Sequence, residues 1–451
     1  MFWEKVLLFS LDEILNCLDC EVLHKKDNYD NDVVFNISTD TRKLQKGDCY
    51  LPLRGENFDG HNFINQAVEN GAVGYFTQDK FKINENAEFI IYVKNALVAY
   101  LTLANYIRNK INPFVIAITG SCGKTTTKEM LYNVFNTTYK THKTALNHNN
   151  EIGLCETLFT MPTDTEVVVI EMGMRNLGEI ELLSKYANPD IGIISNIGSA
   201  HVERLGTLKN IAIAKCEIAK NLKKDGVFIG ADCQQIKENL VFEGKKIYIS
   251  KDDVENIEIL IDSTKFTYKG EEYLINQSGE YNISNATLVI EAAKLKNIPY
   301  ENIKQGFLNY KPIEKRWEKS VINGLTFIND SYNANPESML AVLKTFLKVY
   351  PKPQVLVLGD MGELGKDEIM YHKQIGEFLS SYSDTKLLTV GNLAKHIARN
   401  TTLDSVEFKT NEECAKYITD NIQKGSTILL KASRAMKFEQ IIENIGKMVK
   451  L

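Results

Sequence analysis

Short runs of continuous apolar, mostly β-branched residues alternate along this chain with longer segments in which apolar residues recur at helical spacing. Continuous apolar runs are typical of strands buried on both faces, and a spacing of three and four is typical of amphipathic helices. This alternation predicts an α/β fold with mostly parallel sheets. Beyond the first 90 residues, the predicted strands are residues 114–118, 167–170, 191–195, 325–328, 354–358, 386–390 and 427–430.

The first 90 residues read as a separate small α/β unit. Its predicted strands are residues 33–37, 47–53 and 72–76, and its predicted helices are 11–18 and 63–70. Polar residues Thr39, Asp40 and Arg42 follow the first of these strands. Such clusters at strand ends are where an α/β unit places ligand contacts, although the same residues also cap and solvate turns.

The rest of the chain is long enough for two more domains. The predicted helices there are residues 96–110, 208–222 and 435–449, one from position 124 and one beginning near position 284; residues 247–275 are rich in strands. We therefore expect three domains, with limits at 1–90, 91–312 and 313–451. The last resembles a doubly wound, Rossmann-like domain, but its first strand lacks the G-x-G-x-x-G that dinucleotide binding requires.

The loop after the strand 114–118 predicts a site for phosphate. It carries Gly120 and Gly123, and Lys124 and Thr125 then open a helix. Glycines let backbone N–H groups turn toward an anion, the helix N-terminus adds partial positive charge, and a lysine adds a full one. The hydroxyl of Thr125 is suited to Mg²⁺. The loop departs from G-x-x-x-x-G-K-[ST] because Ile118 stands where the first glycine belongs, but the flanking strand and helix favour the phosphate site.

Two further polar features lie at strand ends. Glu171 closes the strand 167–170, and an acidic residue beside a phosphate loop commonly binds Mg²⁺ directly or through water. A long polar segment, residues 329–336, follows the strand 325–328. Doubly wound sheets bind ligands at that edge, so this segment is a candidate part of the active site.

Composition narrows the class of protein. A formal charge of −5 argues against a nucleic-acid-binding protein. No apolar run approaches the roughly 20 residues that span a membrane. The eight cysteines show no paired zinc spacing, so we expect reduced thiols and a cytoplasmic location. Cys122, inside the phosphate loop, would be reactive if the helix N-terminus lowered its pKa.

The order and spacing of these motifs resemble the Mur ligase family of amide-forming cell-wall enzymes over nearly the whole chain. The matching segments are TGSCGKTT (119–126), NHNNEIG (147–153), EMG (171–173), NIG (196–198), AH (200–201), AK-x-EI (214–218), YN-x-x-NA (281–286), R-x-E (316–318), NDSYNANP (329–336), LGDM-x-ELG (358–365) and K-x-SR (431–434). The fold implied is a small N-terminal domain, a central P-loop ATPase-like domain and a C-terminal Rossmann-like domain.

The resemblance implies an ATP-dependent ligase in which an acyl phosphate is attacked by an amine. Lys124, His201 and Lys215 would be the catalytic residues. Two Mg²⁺ ions would be held by Thr125, Glu171, His201 and Lys215, the last of these carbamylated by CO₂. The residues implied in ATP binding are Thr119, Gly120, Ser121, Cys122, Gly123, Lys124, Thr125, Thr126, Asn285, Arg316 and Asp330.

Within the family, the runs at 331–336 and 359–365 resemble the branch that joins D-alanyl-D-alanine to UDP-N-acetylmuramoyl-tripeptide. Substrate binding would then involve Thr39, Asp40, Arg42, Asn149, Asn333 and Asn335. Such an enzyme would be a monomer without a nucleic-acid or membrane partner. Two alternatives stay open: another Mur-type ligase, either third-residue-adding or folylpolyglutamate-like, and a binding protein that uses its phosphate loop as a nucleotide switch.

Overall fold

The computed structural model describes residues 6–81 and 83–448. Three α/β units, each with its own sheet, follow one another along the chain. The α-helices are Leu11–Cys17, Ile64–Glu69, Ala96–Ile111, Lys124–Phe135, Glu151–Phe159, Glu179–Ala187, Val202–Leu205, Leu208–Cys216, Gln234–Asn239, Tyr281–Leu295, Tyr300–Asn309, Pro336–Val349, Glu368–Leu379, Lys395–Ala398, Asn411–Asn421 and Glu439–Met448. The mixed α/β class expected from the sequence is confirmed, with three sheets that are mostly parallel.

The first sheet lies in the N-terminal part of the chain. Its strands, in spatial order, are Cys20–Lys25, Phe89–Val93, Gly74–Thr77, Cys49–Tyr50 and Ile37–Ser38. Only Cys20–Lys25 runs antiparallel to its neighbour. The expected domain limit at residue 90 falls inside the strand Phe89–Val93, so we propose that the first domain extends through residue 93.

The second sheet is wholly parallel and carries the phosphate loop on a central strand. Its order is Lys245–Ile249, Val227–Ala231, Ile191–Ile194, Phe114–Thr119, Val167–Glu171 and Thr141–Lys143. The central strand is buried on both faces: Val115 and Ala117 join one hydrophobic cluster, and Ile116 and Ile118 join another. Because successive side chains point to opposite faces, a strand between two cores reads as a continuous apolar run.

The strand-rich segment around residues 247–275 is confirmed. After the edge strand of the second sheet it forms an antiparallel three-stranded sheet, Val254–Ile259, Thr264–Tyr268 and Glu271–Ile275. The C-terminal sheet is ordered Glu318–Ile322, Leu325–Asn329, Thr427–Lys431, Gln354–Gly359, Thr385–Val390 and Ser405–Phe408, with only the first strand antiparallel.

Four sequence predictions of elements were wrong or only partly right. The strand at 47–53 is reduced to Cys49–Tyr50. The strand at 33–37 shrinks to Ile37–Ser38, because Val33 and Val34 are 46% and 56% exposed and pair with no strand. The helix at 208–222 ends at Cys216 and continues as one 3₁₀ turn. The last helix begins at Glu439 after a separate 3₁₀ turn, and position 449, its expected end, lies outside the described residues.

Candidate active site

The phosphate loop, residues 119–126, lies where the strand order of the central sheet reverses. The chain leaves Phe114–Thr119 and adds Val167–Glu171 on one side and Ile191–Ile194 on the other. The crevice outside the carboxyl ends of strands at such a point is where open α/β sheets bind ligands. Glu171 and the segment 195–201 therefore flank the loop from its two sides.

Two glycines let the loop pass close to its neighbours. Gly120 has φ of +153° and Gly123 has φ of +79°. A β-carbon at Gly120 would collide with the hydroxyl of Ser195, and one at Gly123 would collide with the side-chain oxygen of Asn285. Asn285, one of the expected adenosine contacts, thus lies directly against the loop.

Part of the loop backbone is already bonded to the segment after Ile191–Ile194. The N–H of Ser121 donates to the carbonyl of Asn196, and the N–H of Cys122 donates to its side-chain oxygen at 2.9 Å. The carbonyl of Cys122 accepts from the hydroxyl of Ser195 at 2.5 Å. The first N–H groups of the helix that begins at Lys124 have no partner within the helix and are free to bind an anion.

Lys124 lies half-buried beside the loop and donates to the carbonyl of Gly120 at 2.7 Å. Burial lowers the pKa of Lys124, and the nearby carboxylate of Glu171 opposes that shift. At the end of the central strand, the buried hydroxyl of Thr119 has no hydrogen-bond partner. Thr126, the last residue of the loop, is buried in the first turn of the helix.

Glu171 is 3% exposed, and its two carboxylate oxygens differ in their hydrogen bonding. Oε1 accepts from the hydroxyl of Thr125 at 3.3 Å and from the amide of Asn149 at 2.9 Å. Oε2 is buried 3.7 Å from the ammonium of Lys128 and has no hydrogen-bond partner among the described residues. Asn149, expected in substrate binding, is here bonded to this carboxylate.

Lys215 is the most unusual titratable group near the site. It lies on the helix Leu208–Cys216 and is 1% exposed. Burial lowers its pKa well below the ordinary lysine value, and the positive charge of Lys124 lowers it further. No carboxylate is among the described groups whose charge acts on it, so nothing offsets the shift of its pKa that burial causes.

His201 meets the C-terminal domain rather than another residue of the central domain. Its Nδ1 lies 2.6 Å from Oε2 of Glu363, but the two groups are not aligned for a hydrogen bond, and Nδ1 has no other partner among the described residues. The carbonyl of His201 accepts from the N–H groups of Arg204 and Leu205. The nearby imidazole lowers the pKa of Glu363. The sequence motif contained Glu363, but spacing alone gave no sign that these two would meet.

Arg316 and Asp330 also bring the C-terminal part of the chain to the loop. Arg316 donates to the hydroxyl of Thr125 at 3.1 Å and stacks over the ring of Tyr332, 4.2 Å from its centre. Asp330 accepts from the N–H of Trp317 at 3.0 Å and pairs with the buried ammonium of Lys431.

The helix Pro336–Val349 points its N-terminus at the phosphate loop. Its capping residue Asn335 donates to the sulfur of Cys122 at 3.1 Å. Burial raises the pKa of the Cys122 thiol, so the condition set for a reactive cysteine, a lowered pKa, is not met. Asn333 is exposed and bonds the backbone N–H of Ala334.

The three N-terminal residues lie apart from this cluster. Asp40 pairs with Arg42 at 2.8 Å, and the Arg42 guanidinium lowers the pKa of Asp40 to about 2. Thr39 contacts the hydroxyl of Tyr100. No hydrogen bond among residues 6–81 and 83–448 ties Thr39, Asp40 or Arg42 to the phosphate loop.

The site also contains residues that sequence reasoning did not select. Lys128 is fully buried and donates to the carbonyl of Leu146 at 2.9 Å. Glu337, in the first turn of its helix, accepts from the N–H and the hydroxyl of Ser199, both at 2.9 Å. Neither carries a sequence signal, since a lysine and a glutamate near a helix start are ordinarily solvated.

The described residues contain no group of three or more His, Cys, Asp and Glu side chains arranged to hold a metal ion. The donor set nevertheless fits Mg²⁺, a hard cation that takes oxygen ligands and obtains several of them from phosphates and water. The orphaned Oε2 of Glu171 is such an oxygen. None of the described helices has the length and apolar character needed to cross a membrane.

Known protein families match the chain in three consecutive pieces. The Mur ligase family catalytic domain matches residues 34–115, the Mur ligase middle domain matches 118–293, and the Mur ligase glutamate ligase domain matches 315–434.

Among curated proteins, the UDP-N-acetylmuramoyl-tripeptide–D-alanyl-D-alanine ligase of Bacillus subtilis is 38% identical over 92% of this chain and 94% of its own length. The enzyme of the same name from Escherichia coli is 30% identical over 90% and 92%.

Among solved structures, MurF from Acinetobacter baumannii superposes with a TM-score of 0.90 and 28% identity, covering 98% of this chain and 99% of its own. MurF ligase from Thermotoga maritima, solved in complex with ADP, gives a TM-score of 0.82 and 25% identity over 92% and 98% of the two chains. This protein therefore belongs to the Mur ligase family, as its motifs indicated.

Proposed function

We propose that this protein joins D-alanyl-D-alanine to UDP-N-acetylmuramoyl-tripeptide and cleaves ATP to ADP and phosphate, a step of peptidoglycan precursor synthesis. Relatives of that name match nearly the full length of the chain. The observation in the structure that carries the proposal is Lys215: a buried lysine without a carboxylate partner, close enough to Lys124 for their charges to interact.

The chemistry explains why such a site needs so much positive charge. A carboxylate is a poor electrophile, and transfer of the γ-phosphoryl group of ATP converts it into an acyl phosphate. Phosphoryl transfer is accelerated mainly by positioning and by neutralising charge on the phosphate oxygens. Lys124 and the first N–H groups of its helix would supply that neutralisation.

Glu171 and Thr125 would hold one Mg²⁺, and their fit rests on the orphaned carboxylate oxygen and the adjacent hydroxyl. His201 and Lys215 would hold a second. A pair of Mg²⁺ ions stabilises the attacking and the leaving oxygens in phosphoryl chemistry.

A neutral amine is the form of lysine that adds CO₂. The addition gives a carbamate and releases one proton, which turns a buried base into an oxygen ligand. The pKa of Lys215, lowered by burial, supports this modification.

Asn285, Arg316 and Asp330 are proposed to contact adenosine, with Asp330 on the ribose and Asn285 on the base. Thr119, Gly120, Ser121, Cys122, Gly123 and Thr126 would complete the ATP site. Because Arg316 and Asp330 come from beyond residue 312, ATP binding would require the C-terminal domain to be docked. Docking also excludes water from an acyl phosphate that hydrolyses readily.

Substrate binding is proposed for six polar residues in three parts of the chain. Thr39, Asp40 and Arg42 would contact the uridine end, and Arg42 has the exposure this needs, since its side chain is 85% accessible. Asn149, Asn333 and Asn335 would face the peptides. Asn149 and Asn335 are bonded to Glu171 and Cys122 in this structure, so substrate would exchange with those contacts.

The test is release of ADP measured with the tripeptide nucleotide and D-alanyl-D-alanine supplied together and singly. The proposal expects ADP release only when both are present. Replacing the dipeptide by L-lysine, diaminopimelate or glutamate tests the other ligases of the family. Activity with one of these amines and none with the dipeptide would refute the proposed substrate.

Lys215→Ala distinguishes the ligase from a nucleotide switch. A ligase of this kind loses amine-dependent ADP release in the variant, and the wild type slows when CO₂ and bicarbonate are removed. A switch protein needs neither. We place the reaction in the cytoplasm, where thiols stay reduced, since all eight cysteines are free. The monomeric state stays a prediction, testable by sedimentation.

A further inference from the structure

One loop at the edge of the C-terminal sheet reaches the central domain. We call it the docking loop and define it as residues 361–367. Its 3₁₀ turn, Gly365–Asp367, lies against the short helix Val202–Leu205 of the central domain. The N–H of Glu203 in that helix donates to the carbonyl of Glu363 at 3.4 Å. The docking loop is therefore a backbone contact by which the two domains meet.

The shape of the docking loop has to be imposed from outside it. Glu363 has φ of +60°, a left-handed backbone that is unfavourable for a residue with a β-carbon and persists where the surroundings enforce it. Gly365 has φ of +62°, and a β-carbon there would lie 3.3 Å from Cα of Glu203. Met361 and Leu364 anchor the loop in the hydrophobic core of the C-terminal domain. Apolar packing holds the loop in place but does not direct its backbone.

His372 provides that direction through both of its ring nitrogens. It is fully buried in the helix Glu368–Leu379. Its Nε2 accepts from the N–H of Met361 at 3.0 Å, and its Nδ1 donates to the carbonyl of Glu368 at 2.6 Å. Because a backbone N–H can only donate and a carbonyl can only accept, both contacts require the same neutral tautomer, with the proton on Nδ1. The imidazole thus joins the first residue of the docking loop to the first residue of the helix that follows the loop.

The surroundings of His372 favour this neutral ring. Burial lowers the pKa of His372, while the bond to the carbonyl of Glu368 and the charge of Asp360 oppose the shift. Asp360 is itself held by other partners, since its carboxylate accepts from the backbone N–H groups of residues 392–394. The residue before the docking loop is therefore fixed independently of His372, and the N–H of Met361 is the point at which the imidazole acts.

We propose that His372 is a positioning residue that sets the docking loop through the N–H of Met361 and thereby holds the C-terminal domain against the central domain. It acts through the loop and not on the reacting groups. For its consequence on turnover the inference rests on the proposed function, in which docking brings Arg316 and Asp330 to the nucleotide. Loss of the contact would reduce the docked fraction of the enzyme.

Three substitutions separate the hydrogen bond to Met361 from the packing of the ring. The side-chain amide of glutamine overlies Nε2 of a histidine, so His372→Gln can still accept from Met361. The amide of asparagine overlies Nδ1, so His372→Asn leaves the buried N–H of Met361 without a partner. His372→Leu controls for volume, because leucine fills the space about as well as glutamine but accepts no hydrogen bond.

The decisive measurement is hydrogen–deuterium exchange of the full-length protein at pH 7, followed by mass spectrometry. A buried N–H that loses its acceptor typically costs a factor of roughly five to a hundred. We expect exchange in the docking loop and in the helix Val202–Leu205 to quicken by such a factor in His372→Asn and His372→Leu, and to change less than about twofold in His372→Gln. Equal acceleration in all three variants, or none in His372→Asn, overturns the proposal. Rapid exchange of the Met361 N–H in the wild type also overturns it, and that result needs no variant to fold.

Turnover gives the second readout. We expect kcat for ADP release with both substrates to fall at least about fivefold in His372→Asn and His372→Leu, and to stay within about twofold of the wild type in His372→Gln. A wild type without this activity would refute the proposed function and leave the exchange result standing. An active wild type whose turnover is matched by His372→Asn would overturn this inference alone.

Discussion

Replacing Lys215 by methionine should make the protein more stable while abolishing the proposed ligase activity. The lysine is fully buried, and no carboxylate compensates its charge. Methionine has a similar length and carries no group that must be desolvated. Burial lowers the pKa of Lys215, so below the ordinary lysine pKa the unfolded chain takes up a proton that the folded chain does not.

This difference makes the wild type lose stability as the pH falls. Between the unfolded and folded pKa values of Lys215, the free energy of unfolding drops by about 1.4 kcal/mol per pH unit relative to Lys215→Met. For a domain of about 200 residues, that corresponds to roughly 3 to 5 °C in Tm per pH unit. The two proteins should be equally pH-dependent above pH 10.5, where the lysine is neutral in both states.

The assay is calorimetric unfolding at several pH values below 10 in buffers freed of CO₂, because a carbamate would itself compensate the burial. Lys128→Met is the matched control: that lysine is equally buried but lies 3.4 Å from Glu129 and 3.7 Å from Glu171. Removing the Lys128 ammonium leaves the buried carboxylate of Glu171 without its nearby positive charge, and should lower the free energy of unfolding by about 3 kcal/mol. The reasoning is refuted if Lys215→Met melts below the wild type at pH 7, or if their difference does not grow as the pH falls.

Three further predictions concern the phosphate loop and the neighbouring residue Glu171. Gly123→Ala should weaken ATP binding at least tenfold in calorimetric titration, because its β-carbon would displace Asn285. Gly178→Ala is the control, since Gly178 has a similar φ but open space around it. This variant should bind ATP like the wild type and lose about 1 kcal/mol of stability. Glu171→Gln should lower kcat by 10²-fold or more and raise the Mg²⁺ concentration needed, with circular dichroism unchanged. Cys122 should react with a thiol-specific disulfide reagent at pH 7 far more slowly than in the unfolded chain, because it is half-buried and its pKa is raised; equal rates would contradict this reasoning.

The parts of the site that the sequence predicted are those made by neighbouring residues. A strand, two glycines and Lys124 at a helix start specify a phosphate loop locally, because the spacing of donors along the backbone is set within a few residues. Glu171 could be chosen because it closes a strand, and parallel strands end at one edge.

Contacts between distant segments were beyond prediction from sequence alone. Lys128 resembles any solvated helix lysine until the loop at Leu146 covers it. The pairing of Glu363 with His201 depends on how two domains dock, which no periodicity encodes. The predicted strand at 33–37 was wrong for a related reason: Val33 and Val34 are apolar, but tertiary packing leaves them at the surface.

The edge strand Cys20–Lys25 was missed because it has no buried residue and no regular alternation, and includes the polar residues Glu21 and His24. The strand Phe89–Val93 was missed at a predicted domain limit, where a five-residue apolar run fits a strand or the start of the following helix equally well.

The segment 195–201 touches the phosphate loop at one end and the C-terminal domain at the other. Ser195 and Asn196 bond the backbone of Cys122, while Ser199 and His201 contact carboxylates of the C-terminal domain. Thermodynamic linkage then works in both directions: if bound ATP favours docking by some factor, docking tightens ATP by the same factor.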